Sequence, residues 1–195
     1  MKTLWTQPLS RPLVLASASP RRTWILGQLG IEHVVDPADI DESAVSDADP
    51  EHLVHELSAR KAEATSLRHP GSLVLGSDTV VFLEPDVLGK PGSAEEARAM
   101  LERLSGRTHV VWTGVHLARD GRRIEGLSVP NRVTFRALGS REIEAYVGTG
   151  DPLDKAGAYG IQGPGLGLVE RLDGCYYAVA GLPVAATLQL LQKHG

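Results

Sequence analysis

The chain carries a single cysteine, Cys175, among 195 residues. One thiol closes no internal disulfide and builds no cysteine metal cage. It also agrees with a reducing compartment. The sequence has no apolar run of about 18 residues, the length that a membrane-spanning helix needs. The opening stretch, MKTLWTQPLSRPLVLAS, has no sustained apolar core, because Gln7-Pro8 and Arg11-Pro12 interrupt it. It therefore reads as no secretory signal. Excess positive charge is lacking too. The formal net charge is -4, which argues against long-range attraction to nucleic acid. Any anion must be held by a local cluster of cations. Two common catalytic frames are missing: no Gly-x-x-x-x-Gly-Lys-Ser/Thr phosphate loop and no Gly-x-Ser-x-Gly nucleophile elbow. These absences argue against a P-loop nucleotidase and an ordinary α/β-hydrolase. The expectation is a soluble cytoplasmic protein that engages neither membrane nor nucleic acid.

With 42% hydrophobic and 23% charged residues, the composition is that of an ordinary globular domain. The length suits one sizeable domain or two small ones. Leu13 to Ser17 reads as a buried strand, and Pro20 to Leu29 as a helix. His33 to Val35 reads as a second strand, and Glu51 to Leu67 as a helix with Leu53, Leu57, Lys61 and Ala64 on one side. LVLGSDTVVFL, Leu73 to Leu83, is the strongest strand signal. Leu88 to Gly92 reads as a loop. Ser93 with Glu96 forms the pattern of a capping box for a helix reaching Leu104. Two long strands, Thr108 to Ala118 and Ile124 to Leu138, flank an Asp120-Gly121 hairpin turn. Ser140 to Gly148 and Val184 to Lys193 read as helices. Leu168 to Leu172 and Tyr177 to Val179 read as short strands, and Asp151 to Gly167 resists assignment. Helices alternating with strands, plus one long hairpin, predict an α/β fold with a mixed sheet.

Several stretches suggest chemistry. In SASPRR, Ser17 to Arg22, Ser19 suits a helix N-cap and Pro20 the first helical position. Arg21 and Arg22 then fall where the helix dipole disfavours cations. An anion bound to the free N–H groups of the helix start would explain them. The plain alternative is that both arginines point into water. Asp78 interrupts an apolar strand, where aspartate is depleted. It could bind Mg²⁺ or activate water, or Ser77-Asp78 could be a turn between two shorter strands. Lys90, in Gly89-Lys90-Pro91, sits in a loop able to present its amine, though such loops are common. Lys61 could merely snorkel past the core edge. Asp39, Asp41 and Glu42 lie in an acidic loop that offers oxygen ligands, but at least two of them read as simply solvated. DKAGAYGIQG, from Asp154 to Gly163, lets backbone approach a ligand closely. Its Gln162 suits the edge of a base, with a packed structural turn as the alternative. His52 and His55 are three apart on a helix but lack a third ligand, and read as surface residues.

Together, LASASPRR, GSDTVV, GKP and DKAGAYGIQG, in that order, resemble the Maf family. Its members were first described as septum-formation inhibitors and are now regarded as nucleoside triphosphate pyrophosphatases. The resemblance runs from about Leu13 to the final helix and includes Gly181-Leu182-Pro183. It implies a single Maf-like domain over residues 1–195, similar to inosine triphosphate pyrophosphatases. Its mixed sheet would be elongated and flanked by helices, with two lobes and a central cleft. It also implies hydrolysis of a nucleoside triphosphate to the monophosphate and pyrophosphate, dependent on Mg²⁺ or Mn²⁺. Carried over by position, Asp78 would be the proton acceptor. Ser17, Arg21, Arg22, Lys61 and Lys90 would bind substrate, and Glu42 with Asp78 would hold the metal. Arg21, Thr79 and Gln162 match the branch tuned to dTTP and UTP, with CTP and modified pyrimidine nucleotides as further candidates. The 7-methyl-GTP branch has a tryptophan where Arg21 stands. Asp151, where many relatives have glutamate, and Cys175, often serine, are small departures. The implied roles are house-cleaning of nucleotide pools and cell-division arrest, and relatives often pair as homodimers. The alternatives are a pyrophosphatase for 7-methyl-GTP or other modified nucleotides, and a non-enzymatic regulator of septum formation.

Overall fold

The computed structural model describes residues 9–45 and 47–195. The reading of the N-terminal stretch as no secretory signal rests partly on residues 1–8, which lie outside the described residues. No helix among the described residues is long and apolar enough to cross a membrane.

The α/β expectation is met. Strands β1 (Leu13–Leu15), β2 (Val34–Val35), β3 (Leu73–Leu83), β4 (Asp86–Leu88), β5 (Thr108–Arg119), β6 (Arg122–Phe135) and β7 (Val169–Asp173) form one sheet in the order β2-β1-β3-β5-β6-β7, with β4 on β3. β1 runs parallel to β2 and β3. β4 is antiparallel to β3, and β7 to β6, so the sheet is mixed. The helices are α1 (Pro20–Gln28), α2 (Pro50–Ser66), α3 (Ala94–Leu104), α4 (Ser140–Val147), α5 (Tyr176–Val179) and α6 (Val184–His194).

Local chemistry explains much of this. The β5–β6 turn places Asp120 at φ 50° and Gly121 at φ 74°, the double left-handed geometry of a tight hairpin. Ser93 Oγ accepts the Glu96 N–H at 3.2 Å, as a cap should, but Glu96 Oε2 accepts from Gly92 N–H rather than from Ser93. β3 is unbroken over 11 residues. The alternative of a turn at Ser77-Asp78 is thereby overturned.

Other expectations need correction. Tyr177 to Val179, read as a strand, lies in α5, where the Val179 and Ala180 amides bond back to Cys175 and Tyr176 carbonyls. β4 has no counterpart in the sequence reading, whose loop begins at Leu88; the strand exists because Val87 pairs with Phe82 of β3. The unassigned glycine-rich stretch forms short 3-10 turns at Asp151–Asp154, Ala156–Ala158 and Gly163–Leu168.

The chain divides into two compact units. The first comprises the described part of Met1–Asp78 with Thr113–Val129 and Gly181–Gly195. The second comprises Thr79–Trp112 and Pro130–Ala180. In the first unit, α2 lies close on the sheet. A Cβ at Gly76 of β3 would sit 2.2 Å from the Ser58 carbonyl oxygen, and one at Gly114 of β5 would sit 2.3 Å from that of Val54. Only glycine permits that approach. The second unit has its own core, in which Leu101, Leu104, Phe135 and Tyr159 are buried together.

Candidate active site

The first unit builds a charged cluster from three regular elements and the acidic loop. α1 begins after β1, with Ser19 at the cap position and Pro20 leading the helix. Ser19 does not cap with its side chain, contrary to expectation. Its Oγ is buried and makes no hydrogen bond. Ser17 Oγ instead accepts the Ser19 N–H at 3.2 Å. The same oxygen accepts a hydrogen bond from Arg22 Nη1 at 2.8 Å.

Arg22 is 9% exposed, so the water-facing alternative fails for it. Its Nε donates to the Gly181 carbonyl at 2.7 Å, an oxygen that also accepts from Ser77 Oγ at 3.0 Å. Burial pushes the guanidinium below its usual value, opposed first by the Asp78 charge. An arginine remains charged even so. Arg21, its neighbour, is partly exposed.

The second element is β3, which carries Asp78 at 7% exposure. The third is α2. Its close approach at Gly76 brings Lys61 over the strand, and Lys61 Nζ donates to Asp78 Oδ1 at 2.6 Å. Lys61 is therefore not merely passing the core edge. It also lies 2.9 Å from Glu42 Oε1. Burial raises the Asp78 carboxyl above the usual carboxylate range, with Lys61 and then Arg22 pulling the other way.

The acidic loop divides as expected. Asp39 is exposed, and Asp41 is engaged in its own turn, where Oδ1 accepts from Ser43 N–H at 3.0 Å and Ser43 Oγ at 2.6 Å. Glu42 alone of the three reaches Lys61. Among the described residues, no three histidine, cysteine or acidic side chains gather as a metal cage. His52 and His55 are exposed.

Thr79, Lys90 and Gln162 belong to the second unit. Thr79 follows Asp78 on β3 and is partly buried. Lys90 is exposed in the loop after β4, which is tied down where Gly157 N–H donates to the Gly89 carbonyl at 3.0 Å. Gln162 is partly buried and extended, just before the Gly163–Leu168 turn. A network of side chains braces its segment. Lys155 Nζ donates to Asp154 Oδ1 at 2.6 Å and Asp151 Oδ1 at 3.0 Å. Tyr146 Oη donates to Asp151 Oδ2 at 2.6 Å and accepts from Gly160 N–H at 3.0 Å.

Sequence reasoning missed Ser77, Tyr146 and the Gly181 carbonyl. A backbone oxygen 159 positions from Arg22 leaves no trace in local spacing. Ser77 differs: it adjoins Asp78 in the same anomalous strand, and that adjacency was the available signal.

Fold and cluster together define an α/β protein in which a buried arginine and a lysine flank a strand-borne carboxylate beside a helix start. Such a set can hold an anion and exchange a proton. The profile of the Maf family, described as Maf-like protein, matches residues 12–194. The chain belongs to that family. It is 54% identical over 183 residues to the dTTP/UTP pyrophosphatase of Myxococcus xanthus, covering 94% of this chain and 92% of that one. The dTTP/UTP pyrophosphatases of Symbiobacterium thermophilum and Moorella thermoacetica are 48% and 49% identical, each over 94% of this chain and over 94% and 95% of their own. A crystal structure of the nucleoside-triphosphatase / dITP/XTP pyrophosphatase of Mycobacterium abscessus aligns with 93% of this chain and 97% of that one, at 16% identity and a TM-score of 0.48. That likeness is too loose for residue-by-residue comparison.

Proposed function

We propose that the protein hydrolyses nucleoside triphosphates to the monophosphate and pyrophosphate, with dTTP and UTP as its substrates. The observation that carries this reading is the buried Asp78 carboxylate, held by Lys61 at 2.6 Å, beside an Arg22 already anchored by Gly181 and Ser17. High identity to relatives named for dTTP and UTP supports the substrate choice. So do Arg21, Thr79 and Gln162, which match the pyrimidine branch.

In this reading Asp78 takes a proton from a water whose oxygen attacks the α-phosphorus. The bond from that phosphorus to the α,β-bridging oxygen breaks, and pyrophosphate leaves with the electron pair. A carboxyl pushed upward by burial is a stronger base once ionised. Arg22, Arg21 and Lys61 neutralise the phosphates, whose charge must be stabilised as the bond breaks. Ser17 orients Arg22 and faces the same anion.

The donor chemistry at Glu42 and Asp78 fits a hard divalent cation. Mg²⁺ or Mn²⁺ is commonly held by one or two carboxylates, with substrate phosphates and water completing its shell. Two carboxylates sharing one ammonium are such a pair. A cation bound there would supply further neutralisation of triphosphate charge.

Incubation of purified protein with a nucleotide panel and Mg²⁺, with products resolved chromatographically, tests the reading. Monophosphate plus pyrophosphate from dTTP and UTP is the expected result. Orthophosphate release, or no turnover of any nucleotide, overturns it.

A further inference from the structure

Lys61 Nζ lies within 3 Å of oxygens from both proposed metal-binding carboxylates, 2.6 Å from Asp78 and 2.9 Å from Glu42. The contact is lopsided. The Lys61 and Asp78 side chains are 11% and 10% exposed, whereas Glu42 is 52% exposed. The ammonium is thus buried with Asp78, while Glu42 reaches it from the exposed acidic loop. Two carboxylates in one pocket repel each other unless a cation lies between them, and Lys61 is that cation.

A divalent ion between the same two oxygens would stand against the ammonium in a desolvated place, where like charges repel strongly. Both cations cannot hold the pair together. Lysine has a flexible four-carbon stem and a compact charge, so it can swing away. Leaving a buried carboxylate for nothing is costly; leaving it for a phosphate is not.

From this we infer that Lys61 is a resident counter-cation: it holds Glu42 and Asp78 until nucleotide arrives, then passes them to the metal and turns to the phosphates. The inference rests on the proposed metal and substrate roles of this site. Metal alone binds weakly because Lys61 competes for its ligands. Metal and nucleotide bind cooperatively because the phosphates draw Lys61 away, and the coupling is reciprocal.

Calorimetric titration of Mn²⁺ into nucleotide-free protein tests this. Lys61→Met, which removes the charge and keeps the stem, should bind Mn²⁺ roughly tenfold or more tightly than wild type. Lys61→Arg, which keeps the charge, should remain near wild type. Adding Glu42→Gln to Lys61→Met should abolish the gain. Mn²⁺ should also raise the thermal midpoint of Lys61→Met more than that of wild type, since a ligand that binds only the folded state stabilises it. Equal or weaker Mn²⁺ binding by Lys61→Met, or no added thermal protection, overturns the inference. The nucleotide panel judges the catalytic reading separately. Turnover with unchanged Mn²⁺ affinity in Lys61→Met would sink the role of Lys61 alone.

Discussion

The Gly181 carbonyl accepts a hydrogen bond from Arg22 Nε at 2.7 Å, joining the start of α1 to a turn 159 positions away. Ser17 takes a second N–H of the same guanidinium. The fork is therefore aimed before any anion arrives. Lysine offers one point charge and no fork. Arg22→Lys should lower kcat/KM for dTTP by roughly a hundredfold, the scale of one or two charged hydrogen bonds. Wild-type kcat/KM in Arg22→Lys would show that the fork is unnecessary.

Asp78→Asn keeps the shape of the side chain and removes its basicity. Turnover of dTTP should fall by about 10² to 10⁴, the usual contribution of a positioned base. The fold should survive, because Lys61 retains Glu42 at 2.9 Å. Steady-state rates beside a thermal melt check both halves. An active Asp78→Asn protein would remove Asp78 from the chemistry.

Each unit contains a buried histidine. His109 is 2% exposed and shares a hydrogen bond with Tyr159 Oη at 2.7 Å, and His116 is 3% exposed and shares one with Ser58 Oγ at 3.0 Å. Burial depresses both imidazoles to about 4. An unfolded histidine titrates near 6.5, so between about pH 6.5 and 4 the unfolded chain takes up protons that the native protein refuses. Stability is full above that window and lost as pH falls through it, by up to about 3 kcal/mol per histidine. Urea unfolding at pH 7, 5.5 and 4 should record the decline. His116→Asn should flatten its slope, whatever packing is lost. An equally steep decline in His116→Asn would assign the effect elsewhere.

Gln162 sits partly buried beside a segment braced by Tyr146, Asp151 and Lys155. If it reads the base, Gln162→Ala should raise KM for dTTP and UTP roughly tenfold to a hundredfold while changing kcat less. Discrimination against purine triphosphates should narrow in parallel. A fall in kcat with KM unchanged would place Gln162 in the chemistry instead.

Local features were legible from the sequence because short-range physics writes them. The Asp120-Gly121 turn needs two left-handed residues, and the Ser93 cap needs one hydroxyl beside free amides. β3 announced itself through apolar residues on both sides of Gly76 to Thr79, and Asp78 stood out among them. α5 misled because tyrosine and valine favour strands on average, whereas here the amides close onto carbonyls three and four residues back. β4 is three residues long, and only its pairing with β3 reveals it.

The sequence by itself determined an α/β chain with one thiol and no long apolar span. It also marked SASPRR and a strand-borne aspartate as places of unusual charge. Tertiary structure decided what those charges do. Arg22 is buried on a distant carbonyl, Ser19 does not cap, and Lys61 joins Glu42 to Asp78. The Asp120-Gly121 turn and the Ser93 cap depend on atoms a few residues apart, so spacing encodes them. The union of α1, α2 and β3 depends on close approach at Gly76 and on burial, which arise only when the whole sheet has formed.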